Sequence, residues 1–328
     1  MDSLLGWLDD RFDGLSRRSH RDTPIAVFLI APAVTILGVF GVLPLILSVY
    51  LSLYAGRGIN MHFIGLGNYT RALTSEAFWN SFAVTLYYVV GTVPVSLAIS
   101  FVVAGGLYRV IRGRGLLRTV YFLPYVTSVV AAATVWRVLL DPRVGIANAT
   151  LSALGWIGDA PPQWLLEPRG VLHLLSGGWI PSGVGPSLAL VCVMVFDIWH
   201  TSGFMIVILL AGLSAIPREL EESALIDGAG WYKRNRHIVL PLLSPSLFFL
   251  LIVGVIRAFQ AFNSFYALTG TGRGPLDTTQ NMTVLIFTNL YQYQRVGFGA
   301  AVATLLALAI VTLTLVQWRF VGRRVHYE

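Results

Sequence analysis

Six stretches of this sequence are apolar over some 20 residues or more, the length a helix needs to cross a bilayer core about 30 Å thick at about 1.5 Å per residue. They run over residues 24–54, 78–107, 117–140, 188–213, 242–266 and 298–321. In lipid every backbone N–H and C=O must be satisfied within the structure, and a helix does this locally. The chain has 328 residues, of which 55% are hydrophobic and 12% charged, and its mean hydropathy is +0.71. The expected fold class is therefore an all-α membrane protein with six transmembrane helices.

An even number of spans leaves both termini on one side, and the basic residues say which. Fifteen of the 23 precede the first span or follow the second, fourth and sixth, seven fall on the opposite side, and Arg257 lies within the fifth span. Cytoplasmic loops carry the excess of Lys and Arg, so both termini are predicted to be cytoplasmic. The net charge of +7 thus records orientation rather than affinity for nucleic acid, since no basic run exceeds a few residues. The first apolar stretch exceeds a signal peptide's apolar region of about 7–15 residues and reads as an uncleaved anchor. In segment 1–23, Leu4, Leu5, Leu8, Phe12 and Leu15 recur at helical spacing ahead of Arg17, Arg18 and Arg21. Two readings stand for it, an amphipathic helix on the cytoplasmic lipid surface and a disordered tail. Residues 322–328 form the other cytoplasmic tail.

Little in the chain suggests chemistry of its own. Cys192, the sole cysteine, lies in an apolar stretch and reads as packing. A phosphate-binding loop needs a lysine after its glycines, but the single lysine, Lys233, follows Tyr232. Gly270-Thr-Gly-Arg-Gly-Pro275 reads as an external turn. No metal-ligand spacing or nucleophile triad is present, so no cofactor is expected in this chain. Pro32, Pro44, Pro94, Pro124 and Pro245 fall in or beside spans, where each removes a backbone hydrogen bond and favours a kink.

The cytoplasmic segment 214–241 carries the strongest functional signal. Pro217 suits a first helical position, and Glu219, Glu221 and Glu222 fill the opening turns, where the helix dipole favours negative charge. Gly228 and Gly230 interrupt the pattern, and Lys233, Arg234, Arg236 and His237 gather before Pro241, which is predicted to stop a second short helix. A helix-break-helix outside the membrane suits docking into a groove of a cytoplasmic partner.

Glu222-Ser-Ala-Leu-Ile-Asp-Gly-Ala229 followed by Ile238-Val-Leu-Pro241 resembles the EAA loop of ATP-binding-cassette importer permeases. Ala211-Gly-Leu-Ser-Ala-Ile-Pro217 is similar to the lead-in of the carbohydrate branch, the maltose- and glycerol-phosphate-type permeases. Further matches include Pro44 with Ser48 and Ser52, Phe63 to Tyr69, Phe78-Trp-Asn80, Thr85-Leu86, Pro124, Asn148, Trp199 and Thr269 to Pro275, so the resemblance runs from about residue 24 to 320. It implies a type I importer permease fold and a heterodimer with a second permease. It also implies two cassette ATPase subunits that bind ATP and Mg, and an external solute-binding protein. Glu222, Ser223, Ala224, Asp227, Gly228 and Ala229 would then form the ATPase-coupling loop, with polar contacts from Glu222 and Asp227 and a close turn at Gly228. Ser223 replaces the motif's second alanine, and Asn235 stands where the family usually has an aromatic. Either Trp231 or Tyr232 substitutes for that aromatic, or the partner's cleft is shaped differently.

Polar groups at membrane depth mark a pathway or a structural pair. Asp197 and His200 in the fourth span, and Arg257, Gln260, Asn263 and Ser264 in the fifth, lie among Trp199, Phe204, Phe262 and Tyr266. Aromatic faces with amide and hydroxyl groups suit a sugar. Trp199, Gln260 and Asn263 are the leading substrate-pathway candidates, with Phe204, Ser264 and Tyr266 beside them. The competing reading pairs Asp197 with Arg257 and assigns the aromatics to packing. The external loop 141–187 is rich in tryptophan and proline and suits either the binding protein or a lipid surface. Asn68, Asn148 and Asn281 open Asn-x-Thr triplets that are read as chance. A six-helix secondary transporter or channel is the rival class, although such carriers commonly show repeats and buried carboxylates. The family implied is prokaryotic, which places the chain in a bacterial or archaeal inner membrane. Its solute is left unidentified.

Overall fold

The computed structural model describes residues 27–56, 60–109, 113–156 and 161–322. The N-terminal segment, for which a lipid-surface helix and a disordered tail both stand as readings, and the tail after 322 lie outside these residues.

Helix α1 (Val27–Ser52) contains a π-turn over Gly38–Val42, immediately ahead of Pro44. Proline has no N–H for the carbonyl four residues back, and the wider turn absorbs that missing bond. A two-residue hairpin, β1 (Tyr54–Ala55) and β2 (His62–Phe63), pairs Tyr54 with Phe63. The short α2 (Gly67–Leu73) follows and supplies Asn68, whose amide donates to the carbonyls of Ser52 and Tyr54, both at 2.8 Å, and so closes the end of α1. α3 (Glu76–Arg109) is the longest helix, about 51 Å at 1.5 Å per residue, and continues through Pro94.

The third apolar stretch is not one straight span. α4 (Arg114–Val126) and α5 (Val129–Leu139) meet at 94°, with Thr127 and Ser128 extended between them. The short α6 (Ile146–Ala153) and α7 (Val171–Leu175) form the loop that follows. Asn148 organises this loop by donating to the carbonyls of Pro142 and Pro162 and accepting from Trp164 Nε1 at 2.8 Å.

α8 (Leu188–Ser214) is the central helix, capped by Ser187, and α3 and α4 pack on it. Gly203 permits the α4 contact, because a Cβ there would sit 2.4 Å from the Tyr121 carbonyl oxygen. After α9 (Arg218–Ile226), the chain enters α10, which runs unbroken from Trp231 to Phe259. Pro241 does not stop this helix. A π-turn over Asn235–Val239 precedes it at the same offset as the turn before Pro44, and the helix continues.

The fifth apolar stretch, by contrast, ends early. α10 stops at Phe259, Phe262 leaves helical geometry, and α11 (Asn263–Thr269) begins anew. α12 (Met282–Phe287) and α13 (Val296–Phe320) complete the chain, and α13 packs on α1. Among the described residues α1, α3, α8, α10 and α13 are each long and apolar enough to cross a bilayer, and α4 with α5 makes a sixth span if the bent pair is counted as one. All three Asn-x-Thr asparagines are buried and hydrogen-bonded within the fold.

Candidate functional site

Two apolar clusters wrap α8, one towards the α2 end of the bundle and one towards the α9 end. A cleft of about 490 Å³ lies where they meet. Both broken spans contribute to its wall: Tyr125, Thr127 and Val129 from the α4–α5 break, and Gln260, Ala261, Phe262 and Asn263 from the α10–α11 break. Irregular backbone at membrane depth is tolerated where it is buried in protein or lines a cavity. Here neighbouring side chains satisfy it. The Ala261 carbonyl accepts from Asn281 Nδ2 at 2.6 Å and from Thr283 Oγ1, and Thr127's carbonyl faces His200 Nε2 at 3.3 Å.

Asp197 and Arg257 both line the cleft, but they are not an ion pair. Asp197 accepts from the Tyr88 hydroxyl at 2.7 Å and bonds Ser264 as well, whereas Arg257 Nη1 donates to the Tyr125 hydroxyl at 3.0 Å. The Arg257 guanidinium also lies 5.2 Å from the Phe204 ring centre and 5.9 Å from that of Tyr125. The two ion pairs among the described residues, Glu167–Arg169 and Asp277–Arg273, both lie in loops. Tyr88→Phe removes a donor from a carboxylate that is 6% exposed. It is expected to cost about 1–3 kcal/mol, the penalty for an undersatisfied buried group, read as a lower unfolding midpoint. An unchanged midpoint would mean that Ser264 alone satisfies Asp197.

Of the substrate-pathway candidates, Phe204, Gln260, Asn263 and Ser264 line the cleft. Trp199 and Tyr266 do not. Trp199 is 41% exposed and packs on Trp136 and Phe196, and Tyr266 stacks on Phe262. Residues that the sequence reading passed over include Tyr88, Thr92 and Ser96 of α3. The signal was present, because the three recur every four residues and so share one helix face.

At the α9 end, Asp227 caps α9 and Gly228 turns the chain at φ +71°. The Gly228 N–H bonds the Leu225 carbonyl, and the Ala229 N–H bonds that of Ala224, at 3.1 and 2.9 Å. Ser223 donates to the Glu219 carbonyl at 2.7 Å. Ala224 is buried, whereas Glu222, Asp227, Trp231 and Tyr232 are exposed. Asn235 turns back onto the Trp231 carbonyl at 2.9 Å and so leaves both neighbouring aromatic rings uncovered.

Residues 96–327 match the family described as binding-protein-dependent transport system inner membrane component. The trehalose/maltose transport system permease protein MalF of Thermococcus litoralis is 32% identical over 94% of this chain and 97% of its own length. The sn-glycerol-3-phosphate transport system permease protein UgpA of Agrobacterium fabrum is 32% identical over 91% and 95%, and the lactose permease protein LacF of Rhizobium radiobacter is 30% identical over 88% and 91%. A chain from a bacterial alginate ABC transporter, solved with a periplasmic protein carrying an alginate pentasaccharide, superposes with a TM-score of 0.77 at 20% identity, over 94% of this chain and 96% of that one. The fold is that of the type I ABC importer permeases, and the chain belongs to the binding-protein-dependent transport system inner membrane component family, as a multi-pass permease subunit of an ABC importer.

Proposed function

We propose that this permease admits a sugar or related polyol or glycerol-phosphate solute through the cleft between the broken spans, driven by ATP hydrolysis in a separate subunit. The relatives are named for trehalose/maltose, lactose and sn-glycerol 3-phosphate, which supports this solute range. The observation that carries the coupling is the uncovered apolar face of segment 216–241. Ile226 is 87% exposed and Trp231 58%, with Leu220, Leu225 and Tyr232 also exposed. An apolar surface of this kind on a short helix outside the spans suits a groove in a partner. In this reading Glu222, Ser223, Ala224, Asp227, Gly228 and Ala229 shape the docking turn, and Trp231 or Tyr232 fills the cleft beside it.

Each of two ATPase subunits receives one such loop, from this chain and from a second permease, and holds the ATP and Mg. An external solute-binding protein meets the α2 end, where a cleft of about 510 Å³ opens between the start of α3, residues 182–187 and residues 276–280. Both termini face the cytoplasm, as the arginine distribution favours, and the outer helix faces rest on lipid. A six-helix secondary transporter or channel is not favoured by the family match.

The test is solute uptake into proteoliposomes by the complete importer. Inactivating the ATPase's nucleotide site is expected to abolish uptake, and undiminished uptake would refute the coupling. Gln260→Ala and Asn263→Ala are expected to raise the KM for uptake several-fold, about 1 kcal/mol per lost hydrogen bond. Trp199→Ala, which alters no cleft wall, is expected to change KM by less than two-fold. Equal effects of all three would dissociate the cleft from the pathway.

A further inference from the structure

We propose that the solute carried through this cleft bears an anionic group, a carboxylate or a phosphate, and that Arg257 receives it. The proposal rests on the permease reading above and narrows its substrate class.

A charged side chain at membrane depth is costly and persists where it has a partner or a pathway to serve. Arg257 sits two residues before the α10 break, on the wall of the cleft. A guanidinium offers five N–H donors in a planar fork suited to two oxygens of one anion. Within the described residues, its hydrogen bond is the single contact to the Tyr125 hydroxyl, and no carboxylate lies within ion-pair distance. The acid that shares the cleft, Asp197, is already engaged by Tyr88. The Tyr125 and Phe204 rings hold the cation over their faces and so preorganise it without neutralising it.

A second observation points to a ligand in the same space. Thr92 and Ser96 line the cleft, and their buried hydroxyls have no hydrogen-bond partner among the described residues. Buried hydroxyls in helices commonly bond the carbonyl one turn back, and these two do not, which leaves donors and acceptors for hydroxyls on the same solute. Fork and hydroxyls together match a molecule with one oxyanion and several alcohol groups.

The test loads the binding protein of the complete importer, in proteoliposomes, with radiolabelled maltose, glycerol 3-phosphate or a glucuronate-containing disaccharide. Uptake of at least one anionic probe is expected. R257Q is expected to raise the KM for that probe about ten-fold, the loss of one charge-assisted contact, with kcat held within two-fold and most of the affinity recovered in R257K. The glycerol 3-phosphate and glucuronate arms separate phosphate from carboxylate. Uptake of maltose alone, or of none of the three, overturns the proposal. So does an unchanged KM in R257Q, or a loss shared equally by KM and kcat, which would assign Arg257 to contact with the second permease. Maltose uptake coupled to ATP hydrolysis would leave the importer reading standing and remove only the anion. Anionic uptake that survives inactivation of the ATPase would remove the importer reading itself.

Discussion

Gly228→Val is expected to cut solute uptake by the complete importer ten-fold or more while leaving the helix bundle folded. Gly228 adopts φ +71°, a region that costs an ordinary L-residue about 1–2 kcal/mol and a β-branched one more. A Cβ there would meet no atom within 4 Å, so the cost comes from the backbone angle rather than from a clash, and only the two backbone hydrogen bonds of the turn oppose its relaxation among the described residues. The turn therefore relaxes and α9 swings relative to the start of α10, which moves the exposed Ile226 and Trp231 out of register with a docking groove. Gly228→Asn, whose side chain tolerates this conformation, is expected to retain most of the activity. The check is ATP hydrolysis stimulated by the loaded binding protein, measured beside the unfolding midpoint. A variant that loses stability in step with transport, or that transports normally, would detach the turn from coupling.

Gly297→Val is expected to damage the fold rather than the coupling. At the start of α13, a Cβ on residue 297 would lie 1.8 Å from the Tyr54 carbonyl oxygen and 2.9 Å from Asn68 Nδ2. The obstruction is backbone that has already been fixed by the β1–β2 pairing, so it cannot yield as a flexible side chain would. Overpacking typically costs about 1–3 kcal/mol, and the hydrogen bonds that Asn68 makes to Ser52 and Tyr54 add about 1 kcal/mol each if broken. Together these come to about 3–5 kcal/mol, and at about 2–4 °C per kcal/mol for a chain of this order a fall of roughly 6–20 °C follows. Cys192 makes the measurement direct, since it is the only thiol and is buried, and a maleimide dye reports its exposure on heating. A midpoint within a degree or two of the parent would show that α1 and α13 do not depend on this contact.

The stretches legible in the sequence are those whose pattern is local. Span ends at residues 188–213 and 298–321 agree with α8 and α13 to within two residues, because lipid demands a helix and the apolar run states its length. The turn at Gly228 was legible for the same reason, since a glycine inside a polar helical pattern marks a break. The proline signal was ambiguous. Pro124 precedes a true bend, whereas Pro241 and Pro44 sit inside helices that π-turns carry through. Whether a missing N–H bends a helix or is absorbed depends on what packs beside it.

The candidate cleft shows the same division. Gln260 and Asn263 were identifiable as polar residues in an apolar run, and both line it. Trp199 was equally conspicuous and faces away towards Trp136, because one step along a helix turns a side chain by about 100°. Asp197 and Arg257 have opposite charges and share one wall, yet each bonds a different tyrosine.

By itself, then, the sequence determined that this is a multi-pass helical permease with a polar loop between α8 and α10, since hydropathy and the loop motif act over neighbouring residues and do not require knowledge of the fold. Only the tertiary structure decided which spans break, which polar groups meet at the breaks and which charge is left to face the cleft. Those outcomes depend on contacts between segments a hundred or more residues apart, such as Tyr88 with Asp197 and Tyr125 with Arg257, whose distances and directions no local pattern encodes.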